Sequence, residues 1–366
     1  MSEAGLIDTG SIEADGSADL GERVRAAAAA RAPLRLRGSG SKDFLGHASP
    51  GDLLDMSTHS GIVRYAPDEL VLTARAGTRM ATIDAALAEH GQMLGFEPPH
   101  FGANATLGGT LAAGLSGPCR ASAGAARDFV LGVRILDGRG DSLRFGGEVM
   151  KNVAGYDVSR LMVGAFGTLG VILEASLKLV PKPRMQVGLR LQLDPTSALD
   201  HLRRWAQRPL PISASAIVDD ALYVRLSGAT AAVRAAAAEL GGERIDDDAF
   251  WLSLREQTHV FFADPRPLWR LSVAAAMAIE DLDGPVLIEW QGAQRWLKSD
   301  ADPARIRAAA SAGGGHATHF RAGAAARAID QVFHPLPAPM LALHRRLKAE
   351  FDPHGLFNRG RLYPEL

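Results

Sequence analysis

The run Arg37-Gly38-Ser39-Gly40-Ser41-Lys42 follows directly on the short strand-like segment Leu34-Arg35-Leu36-Arg37. Its two glycines lack a Cβ and tolerate positive φ, so backbone N–H groups there can converge on one oxygen-rich anion. Ser39 and Ser41 add hydroxyl donors, and Arg37 and Lys42 add positive charge. A diphosphate cradle is the functional reading, and an ordinary turn is the plain alternative. The spacing is neither a Walker A loop nor a Gly-x-Gly-x-x-Gly that opens a helix, so P-loop and Rossmann mechanics do not apply.

Two further small-residue stretches lie downstream. Thr106-Leu107-Gly108-Gly109-Thr110-Leu111-Ala112-Ala113-Gly114 sets glycines ahead of helix formers, and Pro98-Pro99 stiffens the approach. N–H donors at such a helix start suit a phosphate or a polar ring edge. Gly164-Ala165-Phe166-Gly167-Thr168-Leu169-Gly170-Val171-Ile172 feeds a strand. Each signal alone is weak. Three such turns between residues 37 and 172 favour one long ligand, touched along its length, over three unrelated turns.

The 366 residues allow two or three domains at about 150 residues each. The net charge of −1, from 40 basic and 41 acidic residues, argues against a general nucleic-acid binder. A single cysteine, Cys119, excludes an internal disulfide framework and an iron–sulfur cluster held by four cysteines of this chain. No apolar run reaches the ~18 residues of a membrane helix. Residues 1–18 are small, polar and acidic, with no basic residue, which opposes a signal peptide and reads as a disordered leader. A cytoplasmic, globular chain is expected.

Periodicity fills in the elements. Helices are expected at Leu20–Ala32, Thr82–His90, Ser197–Arg208, Ala229–Leu240, Ala304–Ala312 and Met340–Phe351, the last with Leu341, His344, Leu347 and Phe351 on one side. Strands are expected at Ile62–Tyr65, Leu70–Ala76, Val171–Val180, Val187–Leu193, Leu268–Val273 and Val286–Trp290. Hairpins are expected around Asp137-Gly138-Arg139-Gly140 and Asp219-Asp220. Residues 98–127 show no strong period, and there is no internal repeat. Pro181-Lys182-Pro183 marks a boundary, after which mixed hairpins and helices suggest an α+β sheet covered on one face.

The order of these turns, with Arg127-Asp128-Phe129-Val130-Leu131-Gly132 between them, resembles the FAD-binding domain of the vanillyl-alcohol oxidase (PCMH) superfamily. Within it, Phe145-Gly146-Gly147-Glu148-Val149-Met150-Lys151-Asn152-Val153-Ala154-Gly155-Tyr156-Asp157 and Phe351-Asp352-Pro353-His354-Gly355-Leu356-Phe357-Asn358 resemble the FAD-binding E subunits of bacterial glycolate oxidases. The resemblance runs from about residue 20 onward. It implies an α+β chain: a leader at 1–18, a PCMH-type FAD-binding domain of two α+β subdomains at 19–184, a smaller ferredoxin-like α+β cap at 185–330, and a helix and tail at 331–366 returning to the flavin domain. The implied cofactor contacts are Arg37, Gly38, Ser39, Gly40, Ser41, Lys42, Pro99, Thr106, Gly108, Gly109, Thr110, Ala113, Arg127, Asp128, Gly167, Gly170, Val171, Ile172, Asn358 and Arg361. Arg361 would be a cation near the flavin's N1–C2 edge, where reduction builds negative charge. The first loop holds no histidine, so FAD is expected to bind non-covalently.

No catalytic residue is assigned. Dehydrogenation of a 2-hydroxy acid needs a base for the hydroxyl proton and a cation for the carboxylate. His316 and His319 are the tempting pair, but three residues apart in a strand they would face opposite ways, with no acidic residue between them. No metal site is expected. Lys151, Tyr156 and Asp157 read as structural, as do His334 and His354. Phe166 stands where the related catalytic D subunits carry Glu, and Arg359 where the family tail carries Pro. The resemblance implies a complex with a catalytic FAD subunit and an iron–sulfur subunit that passes electrons on from glycolate oxidation, with peripheral attachment to the inner membrane through the complex as a further expectation. Phe250-Trp251-Leu252, Phe261-Phe262 and Trp269 are either its interface or cap core. A self-sufficient FAD-dependent hydroxy-acid or alditol dehydrogenase and a cofactor-less scaffold of the same fold stay open as alternatives.

Overall fold

The computed structural model describes residues 15–147, 157–276, 283–323 and 331–366. The chain divides into two compact units, one of Met1–Leu115, Ala125–Lys182 and Pro335–Leu366, the other of Ser116–Gly124 and Pro183–His334.

The first unit begins with helix α1 (Ser17–Ala30), whose Leu20, Val24 and Ala27 are buried. Strands β1 (Leu34–Arg37) and β2 (Asp52–Asp55) pair in parallel. They are followed by β3 (Ile62–Ala66), β4 (Val71–Arg75), helix α2 (Met80–Glu89), the short β5 (Gln92–Met93) and helix α3 (Leu107–Ala113). Helix α4 (Arg120–Ala123) belongs to the second unit. The first unit resumes with β6 (Val130–Leu136), β7 (Ser142–Gly146), α5 (Val158–Met162), β8 (Val171–Lys178) and the short β9 (Val180–Pro181). Its main sheet has the order β3-β4-β8-β6-β7, and all its pairs are antiparallel. Strand β8 lies between two neighbours and is buried along all but its last residue. Its sequence alternates, with Leu173, Ala175 and Leu177 between Glu174, Ser176 and Lys178, and burial extends to the polar positions Glu174 and Ser176.

One core cluster joins this sheet to α2 and α3 through Leu72, Ile83, Leu107, Leu111 and Ile135. A second joins α1 to the β1–β2 pair through Leu20, Val24, Leu54, Val171, Leu356 and Phe357. The two clusters are the cores of the two α+β subdomains. Each fully buried Leu, Ile or Phe among them stabilises the unit by about 1.5–3 kcal/mol.

The second unit carries β10 (Met185–Gln192), α6 (Pro195–Trp205), β11 (Ile212–Val218), β12 (Ala221–Gly228), α7 (Thr230–Leu240), β13 (Glu243–Ile245) and α8 (Asp247–Arg255). Then come β14 (Leu268–Ser272), β15 (Val286–Glu289), β16 (Gln294–Lys298), α9 (Pro303–Ala312) and β17 (His316–Arg321). The sheet order is β13-β10-β12-β11-β15-β16-β14-β17. Numbered within each half, the first four strands run 4-1-3-2 and the next four 2-3-1-4. Each half thus has the strand order of a ferredoxin-like fold, joined edge to edge with local two-fold symmetry. No sequence self-similarity announces this duplication, because it lies in topology and not in residues. Helix α10 (Ala338–Phe351) returns the chain to the first unit.

Two boundaries differ from expectation. Helix α1 starts at Ser17, inside the span 1–18 expected as a leader; residues 1–14 lie outside the described residues. Residues 116–124, expected in the flavin domain, pack with the second unit, where the Trp290 indole donates to Gly117 O at 3.0 Å and Ser122 Oγ to Ser213 O at 2.8 Å. The stretch 98–127 contains two helices despite lacking a period. In α3 the glycines are tolerated because Leu107, Thr110, Leu111 and Ala113 are buried, so packing overrides propensity. The block 145–157 lies largely outside the described residues, Lys151 and Tyr156 included. Asp157 is described, and its side chain caps α5 by accepting from Arg160 N.

Candidate functional site

A cavity of about 390 Å³ opens within the first unit, inside the range of small-molecule sites. Its floor is the first loop, Arg37 to Lys42. Thr106, Gly108, Gly109 and Ala113 of the second stretch line it, as do Gly167, Gly170, Val171 and Ile172 of the third and Asn358 and Arg361 of the tail. The structure therefore brings together the three separate turns and the tail, on one continuous slot.

The glycines act first through close approach. A Cβ on Gly38 would lie 2.2 Å from Thr106 Oγ1, and one on Gly108 would lie 2.7 Å from the Ala76 Cβ. Gly40 has φ +79°, and a Cβ there would strike the Arg37 guanidinium. The first two loops thus touch backbone against side chain, which only glycine permits.

The two loops differ in what they leave for a ligand. In the second, Leu107 N donates to Thr78 O at 2.9 Å, Gly108 N to Ala76 O at 2.7 Å, and Gly109 N to Thr106 Oγ1 at 3.4 Å. The donors expected at this helix start are already committed within the protein. In the first loop, Ser41 N donates to Ser39 Oγ at 3.4 Å and Asp43 N to Gly40 O at 3.0 Å. Among the described residues the amides of Ser39 and Gly40 have no protein acceptor. Ser49, also lining the cavity, has a buried Oγ without a partner. These donors face a slot where an oxygen-rich ligand can accept from them.

The charges are more constrained than the sequence suggests. Arg37 Nε pairs with Asp43 Oδ2 at 2.6 Å, so its positive charge is largely balanced. Lys42 is buried and donates to His100 O at 3.2 Å. Arg361 donates to three carbonyls of the 42–47 segment: His47 O at 2.8 Å, Asp43 O at 3.2 Å and Lys42 O at 3.5 Å. Burial draws its pKa down, Asp43 opposes that, and Arg35 reinforces it. Arg361 is a clamp on the first loop, a role the expected cation at the flavin edge did not foresee.

Asn358 is the other clamp. Its backbone N donates to Leu34 O at 3.0 Å, and its side chain accepts from Leu36 N at 2.8 Å and donates to Phe166 O at 2.6 Å. Phe166 sits in a left-handed turn at φ +52° and lines the cavity. Behind the tail, the buried Lys348 of α10 donates to Asp352 Oδ2 at 2.6 Å, Thr168 O at 2.7 Å and Phe357 O at 2.8 Å. The side expected from the period, Leu341, His344, Leu347 and Phe351, is the partly buried one, with Leu347 and Phe351 packed against the core; the buried Lys348 was missed. The i,i+4 pair Lys348–Asp352 was the available signal.

Four expected contacts lie off the cavity. Arg127 and Asp128 are exposed; Asp128 caps its own 3-10 turn by accepting from Ala125 N at 2.9 Å. Thr110 is fully buried in the α3 core with an unpartnered Oγ1, and Pro99 is buried and does not line the slot. Arg35, Leu36, Asp43, Ala48, Ser49, Met56, Ala76 and Ala112 line the cavity unpredicted, because β1 alternation and the 43–49 loop carry no composition signal.

In the second unit, His316 and His319 do face opposite ways on β17. His319 pairs with Trp269 and lies buried, while His316 pairs with Ser272 and is exposed. Burial, and then the Arg307 cation, draws His319 down to about 4. Among the described residues no group of three or more His, Cys, Asp or Glu could hold a metal. Trp251, Phe261 and Trp269 are core, whereas Leu252 and Val260 are exposed.

The sequence profile of the FAD binding domain matches residues 10–146. The chain is 50% identical over 354 residues to glycolate oxidase subunit GlcE of Escherichia coli (strain K12), covering 97% of this chain and 99% of that protein. It is 37% identical over 162 residues to glycolate oxidase subunit GlcD of Bacillus subtilis (strain 168), covering 43% of this chain and 34% of that one. Among solved structures, alkyldihydroxyacetonephosphate synthase superposes with a TM-score of 0.62 at 15% identity, over 93% of this chain and 74% of that one, a likeness of fold alone. The chain belongs to the glycolate oxidase GlcE family of FAD-binding subunits.

Proposed function

We propose that this chain is the FAD-carrying subunit of a multi-subunit glycolate oxidase-type enzyme that oxidises a 2-hydroxy acid, glycolate to glyoxylate, and passes the electrons to partner subunits. The observation that carries the reading is the single slot in which three distant turns and the tail meet, in a chain half identical to GlcE along nearly its whole length.

The residues present fit FAD. The amides of Ser39 and Gly40 and the hydroxyls of Ser39, Ser41 and Ser49 are donors for the diphosphate oxygens. Ala76, Ala112, Val171 and Ile172 give the slot apolar walls. Asn358 and Arg361 fix the shape of the floor without being consumed by the ligand. Among the described residues lining the slot none is a histidine or cysteine, and non-covalent binding is part of the proposal. Bound FAD supplies a two-electron acceptor for the hydroxy acid. An iron–sulfur partner and peripheral attachment to a membrane belong to the same proposal; among the described residues no helix is long and apolar enough to cross a membrane.

The test is purification of the full chain, alone and with its co-expressed partner subunits. A flavin spectrum is expected in both, with the flavin released to the supernatant on acid precipitation. Addition of glycolate is expected to bleach the flavin of the complex. A colourless chain that takes up no added FAD would select the scaffold alternative. Rapid bleaching of the lone chain would select the self-sufficient dehydrogenase.

A further inference from the structure

Along β1 the side chains alternate. Leu34 and Leu36 turn into the core cluster shared with α1, so Arg35 and Arg37 stand on the other face. Both line the cavity, together with Lys42 and Arg361, the other two cations of its wall.

These four charges are held in different ways. Arg37 pairs at 2.6 Å with Asp43, the one carboxylate among the lining residues. Lys42 is buried against His100 O, and Arg361 commits its guanidinium to the carbonyls of Lys42, Asp43 and His47. Arg35 is exposed at the mouth, and among the described residues it makes no hydrogen bond, ion pair or ring contact. Its register partner on β2 is Leu53, whose side chain has no acceptor to offer.

The position of this charge is as telling as its freedom. Arg35 belongs to the strand that runs straight into Ser39 and Gly40, the residues with open amides. Its charge is close enough to Arg361 to help draw that group down, although burial is the larger cause and Asp43 opposes it. Arg361 in turn touches Lys42 O at the end of the first loop. The Arg35 charge therefore lies beside that loop. Oxidised FAD carries its formal negative charge on the diphosphate; its flavin and adenine rings are neutral near pH 7. The amides and hydroxyls of the first loop are neutral donors, and a full positive charge has to come from a side chain.

We propose that Arg35 is the cation that balances the cofactor's diphosphate, reaching it from β1 while the amides of Ser39 and Gly40 hold its oxygens. The proposal rests on FAD occupying this slot and is independent of which hydroxy acid is oxidised. Because Arg35 is exposed, its contribution is a Coulombic one that salt screens.

The experiment is ultrafiltration of the full FAD-loaded chain over a dilution series, free flavin in the filtrate giving Kd without turnover. It compares wild type, Arg35→Gln, Arg35→Lys and Arg184→Gln in about 0.01 M and about 1 M salt, between which the Debye length falls from about 30 Å to about 3 Å. Arg184 is exposed and does not line the slot, so its variant loses the same unit of charge elsewhere. At low salt Arg35→Gln is expected to weaken FAD binding about 5- to 20-fold, and Arg35→Lys less than about 3-fold. Arg184→Gln should leave Kd unchanged. At high salt the gap between wild type and Arg35→Gln should shrink below about 3-fold. Near-ultraviolet circular dichroism checks that the variants are folded. Equal affinity of wild type and Arg35→Gln at low salt overturns the proposal, as does a loss just as large at high salt. So does an Arg35→Lys or Arg184→Gln variant as weak as Arg35→Gln. A wild-type chain that carries no flavin and takes up none overturns the FAD reading itself, whereas a flavin-loaded chain indifferent to Arg35 leaves that reading standing.

Discussion

The two units make polar surfaces by different means. The first brings backbone to a cavity: glycines let loops meet, amides at Ser39 and Gly40 stay open, and side-chain charges such as Arg37 and Arg361 are turned to structural use. The second brings side chains to a flat sheet face, where Arg270, Gln294 and Glu289 interlock across strands. Substitutions should therefore hurt the first unit by adding atoms and the second by removing them.

The largest effect expected lies behind the first unit's tail. Lys348→Met leaves the fully buried Asp352 carboxylate without its cation and should destabilise the protein by about 3–5 kcal/mol, read as a lowered urea midpoint with loss of bound FAD. A small loss would mean that the clasp on Thr168 and Phe357 is dispensable, and that the cavity floor stands without its tail.

Next is the loop contact itself. Gly38→Ala should cost about 1–3 kcal/mol through its collision with Thr106 Oγ1. In a Thr106→Ala background that clash is gone, so the double variant should be less damaged than the sum of the two singles. Strict additivity in unfolding measurements would break the claim that close approach is what the glycine provides.

A third test concerns the second unit. His319 titrates near 4 in the folded protein, below the ordinary 6.5, so the unfolded chain takes up a proton that the native state refuses. Stability should be flat above pH 6.5 and fall as pH drops from 6.5 toward 4. His319→Leu should flatten that slope in melting temperature against pH; an unchanged slope would move the acid sensitivity elsewhere. The smallest effect is expected from Arg37→Gln. Its exposed pair with Asp43 contributes about 0–1 kcal/mol, and FAD retention should barely change. A sharp loss of FAD would show that the first loop works through its side-chain charge after all.

The same contrast explains what could be read from the chain. Loops that need glycine leave glycine in the sequence, so the turns at 37–42, 106–109 and 167–170 pointed to one slot. Helices α2, α6, α7 and α9 and both hairpins were legible through their periods. What was lost has a physical cause. Whether an amide is open, as at Gly40, or committed, as at Gly108, depends on partners such as Ala76 O that composition does not mark. Asp128 caps its own turn by accepting from Ala125 N, and neither it nor Arg127 lines the slot, which their sequence neighbourhood does not announce. Arg270 is one arginine among many until strand register sets it beside Gln294 and across from Trp296.

The bond from Leu36 N to the Asn358 side chain joins positions 322 apart in the chain. A nascent polypeptide therefore carries the first loop for almost the entire time of its synthesis without the strut that shapes it. Flavin capture becomes a late event in biogenesis, gated by ribosomal progress past residue 358, and any premature stop upstream should yield a protein unable to load its chromophore however well its early elements have folded.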